Sequence, residues 1–146
     1  MKQGNIKFET GLVEMSVNDV RTIQFNPSDV GFAQDLYGLA SKLGNIQKEK
    51  AAEFEAVKDD TAAYFDISKA EDQEMRRAVD DFFGEGFCAA VFPGIRLYAM
   101  ADGLTVIENF LYAVMDKMDD DITANMAKRN ERIAKYTAKY KEYQKK

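Results

Sequence analysis

Two groups of acidic residues have the composition of a chemical site. The first is the run Asp116, Asp119, Asp120 and Asp121, and carboxylate oxygens are the ligands that Ca²⁺ and Mg²⁺ prefer. An EF-hand loop also needs alternating oxygen ligands, a central glycine and a terminal glutamate, and this run has none of them. We therefore interpret the run as a solvated helix end and predict no metal site.

The second group could supply a pair of carboxylates for acid–base chemistry, and it consists of Asp80, Asp81, Glu85 and Asp102. Nothing around these residues suggests a substrate cleft, so surface charge and helix capping explain them better. Cys88 lies among apolar neighbours without a base and is interpreted as a small buried residue. The chain has no histidine, the commonest general base. We expect no enzyme and no cofactor.

A basic, tyrosine-bearing segment near the carboxyl end leaves two interpretations open. Tyr136, Tyr140 and Tyr143 recur at helical spacing and alternate with Lys135, Lys139 and Lys141. Such tyrosines can stack on single-stranded bases while lysines meet phosphates. They can equally form the apolar stripe of a helix that binds a protein partner. Because residues 128–146 carry a net charge of +6 whereas residues 1–127 carry −11, the body would repel phosphates, and we favour the protein partner.

Length and composition indicate one domain over residues 1–146. An apolar fraction of 46% with 31% charged residues is typical of a globular protein with long polar helices. The single cysteine excludes an intrachain disulfide and suits a reducing cytoplasm. No apolar run is long enough to cross a membrane, and the amino-terminal residues lack the features of a secretory signal. We expect a cytoplasmic protein that does not engage a membrane.

Residues 1–25 alternate between apolar and polar side chains, which predicts a small antiparallel β-meander of three short strands. The alternating apolar positions are Ile6, Phe8, Val13, Met15, Val17, Ile23 and Phe25. Gly11 and Asn18-Asp19 stand where turns are needed. Three strands are barely stable alone, so the meander must pack on helices or on another chain.

A helical core is predicted over residues 27–118. Asn26 and Pro27 are typical of a helix start, and the stripe that follows consists of Phe32, Leu36, Leu39, Leu43 and Ile46. We expect a break near Gly44-Asn45 and an exposed, charged helix or extension over 47–60. Ser68 and Glu71 have the spacing of a capping box.

The most buried elements are predicted between Met75 and Met118. The first helix carries a stripe of Met75, Ala78, Val79 and Phe82 and ends at Gly84. Asp102 is expected to cap the second helix near Leu104, whose stripe continues through Ile107, Leu111, Val114, Met115 and Met118. Beyond Asp119 a narrower stripe, on a basic helix or tail over 119–146, consists of Ile122, Met126, Ile133, Tyr136, Tyr140 and Tyr143.

Three segments occur in an order typical of a known family. Phe25-Asn26-Pro27-Ser28-Asp29 opens the first long helix, residues 77–86 (RAVDDFFGEG) close the next, and residues 102–111 (DGLTVIENFL) open the following one. With the charged middle section and the lysine-rich end, this order resembles the tail assembly chaperones of long-tailed (siphovirus-type) bacteriophages and prophages. The resemblance covers most of residues 20–146.

The resemblance implies a small, mainly helical, acidic protein of the host cytoplasm that is absent from the finished virion. Chaperones of this family coat the tape measure protein, keep its apolar helices from aggregating and help recruit the tail tube protein. Both proteins would therefore be partners. The resemblance also implies a place in the core for Phe82, Phe83, Phe87, Phe92 and Phe110.

Taken together, the sequence predicts a mainly α protein with a small amino-terminal β-meander and a long charged carboxyl-terminal helix. It predicts a homo-oligomer and a tail assembly chaperone, with partner-binding residues Phe32, Leu36, Leu39, Leu43, Ile133, Tyr136, Tyr140 and Tyr143. The alternative is a nucleic-acid-binding phage or bacterial regulator that uses the basic tyrosine-bearing helix.

Overall fold

The computed structural model describes the backbone of residues 1–144 and the side chains of residues 1–141. The chain is mainly α-helical, as predicted. Its elements are β1 (Val13–Val17), β2 (Arg21–Phe25), α1 (Val30–Ala56), α2 (Thr61–Phe83), α3 (Phe87–Val91), β3 (Met100–Ala101), β4 (Leu104–Thr105) and α4 (Val106–Gln144). Helices α1 and α2 form an antiparallel pair that is joined by a short turn. The β1–β2 hairpin, α3 and the first part of α4 complete the packed body.

The amino-terminal sheet has two strands rather than the predicted three. β1 pairs antiparallel with β2, and the loop between them has Asn18 and Asp19 at φ of 48° and 61°. These residue types tolerate the left-handed region, so the predicted turn is confirmed. The prediction of a strand at Ile6 and Phe8 is wrong: residues 1–12 have no regular secondary structure, and these two side chains are 88% and 79% exposed. The alternation of apolar and polar residues in this segment is typical of a strand with one apolar and one polar face. No neighbouring strand, however, pairs with the segment.

Helix α1 begins one turn later than predicted. Asn26 uses its side chain outside the helix: its Oδ1 accepts from the Ser28 amide at 2.8 Å, and its Nδ2 donates to the Thr10 carbonyl at 2.9 Å. Asp29 is the N-cap, with Oδ1 accepting from the Gly31 amide at 2.8 Å. Asn26 and Asp29 are both of good capping type, but the Asn26 acceptor is used by the Ser28 amide in the preceding turn, and Asp29 caps the helix.

The predicted break at Gly44-Asn45 does not occur, since α1 continues to Ala56. A glycine inside a helix costs about 1 kcal/mol, but Leu43 and Ile46 on either side are buried against the body and offset that cost. The charged segment after it is therefore the second half of α1. Lys50 links it to α2 through an ion pair with Glu74 at 3.0 Å.

The capping box predicted at Ser68 and Glu71 is also wrong. Helix α2 already begins at Thr61, where the Asp60 carboxylate caps it by accepting from the Ala63 amide at 3.1 Å. Residues three apart also share one face of an established helix, which is the arrangement found here. The Ser68 hydroxyl hydrogen-bonds to the Tyr98 hydroxyl, and Glu71 is buried. At the other end of α2, Gly84 is the C-cap at φ 116°, as predicted.

The start of α4 differs from the prediction as well. Asp102 and Gly103, at φ of 54° and 82°, form the two-residue turn of the β3–β4 hairpin, a combination typical of aspartate followed by glycine. The helix starts at Val106 instead. Its first turn is held by a capping box in which the Thr105 amide and hydroxyl both donate to Glu108 Oε1, at 2.9 and 2.7 Å.

The core lies where the two long stripes predicted from the sequence meet. Met75, Val79, Ile107 and Leu111 are at most 4% exposed. The phenylalanines that the resemblance placed in the core form one aromatic cluster: successive ring centroids are 4.7 Å apart for Phe82 and Phe83, 5.0 Å for Phe83 and Phe87, 5.1 Å for Phe83 and Phe110, and 6.0 Å for Phe92 and Phe110.

The loop before β3 is fixed to α2 by the buried carboxylate of Asp72. Its Oδ1 accepts from the Leu97 amide at 2.8 Å, and its Oδ2 accepts from Arg76 Nε at 2.8 Å. Arg76 in turn donates to the Phe92 carbonyl at 2.7 Å. The polar groups of this loop are therefore paired, and Leu97 beside them is fully buried.

Candidate partner-binding surface

The most exposed regular element is the second half of α4, residues 119–144, which we call the arm. Met118 is the last buried residue of the helix, and residues 122–141 are all exposed. At about 1.5 Å per residue, the arm is roughly 39 Å long. The helix itself continues without interruption, so the predicted long charged helix is present as the second half of a longer one.

One side of the arm carries an apolar stripe, which we call the seam. It consists of Ile122, Met126, Ile133, Tyr136 and Tyr140, whose side chains are 41–62% exposed. The sequence predicted Ile133, Tyr136, Tyr140 and Tyr143 as partner-binding residues; the structure places the first three on the seam. The side chain of Tyr143 lies outside the part that the structure describes. With Arg129 between Met126 and Ile133, the seam positions recur with alternating spacings of four and three, the pattern of a coiled-coil interface.

Charge changes sign along the arm. Asp119, Asp120 and Asp121 stand at its start, whereas Arg132, Lys135, Lys139 and Lys141 stand towards its end. The guanidinium carbon of Arg132 lies 5.8 Å from the Tyr136 ring centroid, and Lys139 Nζ lies 5.5 Å from that of Tyr140. A hydrogen bond from Arg132, followed by the positive charge of Arg132 and Lys135, lowers the pKa of the Tyr136 phenol. The seam tyrosines are thus surrounded by cations.

The base of the arm is tied to the turn that precedes α1. The Ser28 hydroxyl donates to Asp121 Oδ2 at 2.7 Å, and Asn125 Nδ2 donates to the Ser28 oxygen at 2.8 Å. Beside these bonds lies an open groove of about 660 Å³. Val30, which is 69% exposed, lines it together with Ile122 and Met126. The apolar surface of the seam therefore extends from Ile122 and Met126 to Val30 on the body.

The stripe on α1, the other predicted partner-binding region, is placed differently. Leu36, Leu39 and Leu43 are 1–5% exposed and belong to the core, so in this structure they present no surface to a partner. Phe32 is half-buried, and its ring centroid lies 4.8 Å from that of Phe25 and 5.7 Å from that of Phe82. The apolar side chains of this stripe pack within the chain, mainly against α2, and their role in binding a partner stays a prediction.

A second apolar groove, of about 590 Å³, lies between the β1–β2 hairpin and α4. Its lining includes Met15 and Ile23 from the hairpin and Phe110, Ala113 and Val114 from the helix. No pattern in the sequence predicted it, because the groove exists only where elements distant in the chain approach each other. Asn109 and Lys117 are the polar residues of α4 in its wall.

The residues first considered for chemistry have structural roles. Asp80 Oδ1 accepts from the Cys88 amide at 2.8 Å and so holds the start of α3. Cys88 is buried, and burial raises the pKa of its thiol to about 12, which removes the thiolate that a nucleophile needs. Within residues 1–144, no group of three or more potential ligands is placed to hold a metal ion.

Similarity to other proteins gives no independent assignment of this surface. Across the described part of the chain, no helix has both the length and the apolarity that a bilayer crossing requires. Comparisons with protein-family models, with curated proteins and with solved structures each gave no match.

Proposed function

We propose that this protein is a tail assembly chaperone that binds the tape measure protein of a long-tailed phage through the arm. The observation that carries the proposal is the seam: an apolar stripe of coiled-coil spacing, exposed on a helix that leaves the body. The resemblance in residues 20–146 supplies the identity of the client. The seam supplies a physical means of binding it.

A tape measure protein would offer long helices with apolar stripes of their own. Such a stripe packs against the apolar a and d positions of a facing helix. The packing reduces the apolar area that each of the two helices exposes to water. Tyrosine at Tyr136 and Tyr140 contributes large rigid contact area with a polar end that tolerates solvent. The strongly acidic body would keep the loaded complex soluble through its net charge.

The remaining parts of the proposal come from the resemblance. The chaperone would act in the host cytoplasm during tail morphogenesis, help to bring the tail tube protein to the coated tape measure protein, and be absent from the finished virion. The groove beneath the β1–β2 hairpin offers a surface separate from the arm, which suits a protein with two partners.

The test is co-expression with the tape measure protein encoded nearby, followed by a solubility assay and a pull-down. We expect the long protein to become soluble and to co-purify. Tyr136→Ala combined with Tyr140→Ala should weaken that binding by about tenfold or more, because interface tyrosines often contribute 1–2 kcal/mol each. Tyr112→Ala is the matched control, since Tyr112 is equally exposed at 46% but lies on the body half of α4.

A client that stays insoluble and unbound would count against the proposal, as would equal binding by the double variant and by Tyr112→Ala. The second candidate, binding of single-stranded nucleic acid, is favoured by the cations placed over Tyr136 and Tyr140. A salt titration separates the two functions, because phosphate contacts give a steep loss of affinity with salt and an apolar seam does not.

A further inference from the structure

We propose that the arms of two copies of this chain pair with each other as an antiparallel two-stranded coiled coil. The proposal concerns the direction and register of self-association. It does not depend on the proposed function, because it uses the arm's own residues and needs no client.

The seam has the spacing of a heptad repeat. Met126, Ile133 and Tyr140 are seven apart and occupy one core position, whereas Ile122, Arg129 and Tyr136 are seven apart and occupy the other. This narrow two-in-seven stripe is typical of a coiled-coil interface rather than of a helix that packs on a globular core. Arg129 is the polar member, and its aliphatic stem can lie along the interface with the guanidinium in water.

Charge decides the direction of pairing. A parallel pair would place Asp119 and Asp120 of one arm beside the same residues of the other, and Lys139 and Lys141 beside their own copies. An antiparallel pair brings the aspartates of each arm to the lysines of the other at both ends of the interface. The start of each arm is acidic and its later part is basic, and opposite charges attract, so the antiparallel arrangement is favoured.

Pairing of the described seam positions with one another selects the register. If the two arms overlap from residue 119 to about residue 143, core residues meet as Ile122 with Tyr140 of the other copy, and Met126 with its Tyr136. The bodies then lie at opposite ends of the paired arms, because the two helices run in opposite directions. Tyr140 of the second copy reaches the open groove beside Val30, which lies at the base of the first arm.

Multi-angle light scattering and sedimentation equilibrium test the pairing. We expect the wild-type chain to approach twice its mass of 16.5 kDa at high concentration. Asp119→Lys with Asp120→Lys replaces two negative charges at the start of the arm by two positive ones, and Lys139→Glu with Lys141→Glu makes the opposite exchange in its later part. Each variant alone should dissociate at least about tenfold more readily, because like charges then meet at both ends of the paired arms, and an equimolar mixture should recover the paired mass.

The control reverses the same number of charges on the body, with Asp66→Lys and Asp81→Lys, two exposed residues of α2. This control should associate like the wild type. Circular dichroism on every variant checks that the fold is retained. A wild-type chain that stays monomeric at millimolar concentration would overturn the proposal, and so would charge-reversal variants that pair as well alone as in the mixture.

Cross-linking tests the direction. Thr123 and Thr137 are exposed neighbours of the seam, and the proposed register brings Thr123 of one copy close to Thr137 of the other. With a short bismaleimide, a mixture of Thr123→Cys and Thr137→Cys should cross-link, whereas Thr123→Cys alone should not. The buried Cys88 should leave the wild type without cross-links. Efficient linkage within Thr123→Cys alone would indicate parallel arms and refute the antiparallel arrangement. Client binding can be measured separately, so failure of either proposal remains distinguishable.

Discussion

The two halves of α4 carry apolar side chains at helical spacing, yet they lie in opposite environments. In residues 106–118, Ile107, Leu111 and Val114 are at most 5% exposed because they belong to the buried apolar cluster that residues of α1, α2 and α3 also form. In the arm, Ile133, Tyr136 and Tyr140 are 45–47% exposed. One continuous helix therefore serves as a core element in its first half and as a candidate interface in its second. The apolar stripe of the first half stabilises the fold, whereas the stripe of the second half remains exposed to a partner.

The largest predicted difference between the halves concerns buried volume. Leu111→Ala should lower the free energy of unfolding by about 2–5 kcal/mol, because it leaves a cavity in the core. Tyr136→Ala with Tyr140→Ala should change it by less than about 0.5 kcal/mol, since both side chains are solvated. Urea denaturation followed by circular dichroism, at a concentration where each chain is monomeric, measures both. Equal losses would mean that the arm contributes to the folded body.

The next largest predicted effect compares the loss of a buried carboxylate with the loss of a solvent-exposed one. Asp72→Ala should cost about 1–3 kcal/mol, because the Leu97 amide and Arg76 lose their acceptor. Asp120→Ala in the arm should cost less than about 0.5 kcal/mol. Thermal melts of the two variants give the comparison. A negligible effect at Asp72 would show that the loop before β3 stays in place without this carboxylate.

A third prediction concerns the cap at the start of α4. Hydrogen bonds from Thr105 hold the pKa of Glu108 below its usual value, so the ionised carboxylate stabilises the fold above about pH 4.5 and loses this effect as the pH falls. Glu108→Ala should therefore cost about 1 kcal/mol at pH 7 and progressively less in acid. Glu131→Ala in the arm, measured in the same pH series, should show no such change.

The smallest predicted effect has the opposite sign. Burial raises the pKa of Glu71, so its ionised form is penalised in the folded state at pH 7, and the penalty disappears below about pH 4.5. Glu71→Gln should raise the melting temperature by about 1–3 °C at pH 7, and the gain should shrink as the pH falls. A lower melting temperature at pH 7 would indicate that the attraction between Glu71 and Lys50 outweighs the cost of burial.

Local signals were least dependable where two good candidates stood close together. Asn26 and Asp29 both have the chemistry of an N-cap, and Asp102 and Thr105 present the same ambiguity at the start of α4. In each case the residue further along the chain begins the helix. At the first site the Asn26 side-chain oxygen accepts from the Ser28 amide in the turn before the helix. At the second, Asp102 and Gly103 are used for the hairpin turn. The aspartate–glycine pair was a signal of that turn, and so was the Thr105 to Glu108 spacing of the cap.

The sequence by itself determined which residues form apolar stripes, because spacing alone places side chains on one face of a helix. It therefore predicted the stripes of α1, α2 and both halves of α4, the C-cap at Gly84 and the change of charge along the arm. The tertiary structure decided which stripes are covered. The stripe of Leu36, Leu39 and Leu43 and the seam have similar spacing, but α2 returns along α1 and buries the first, whereas no described element returns along the arm. Burial depends on neighbours that are distant in the chain, and periodicity within one helix cannot specify them.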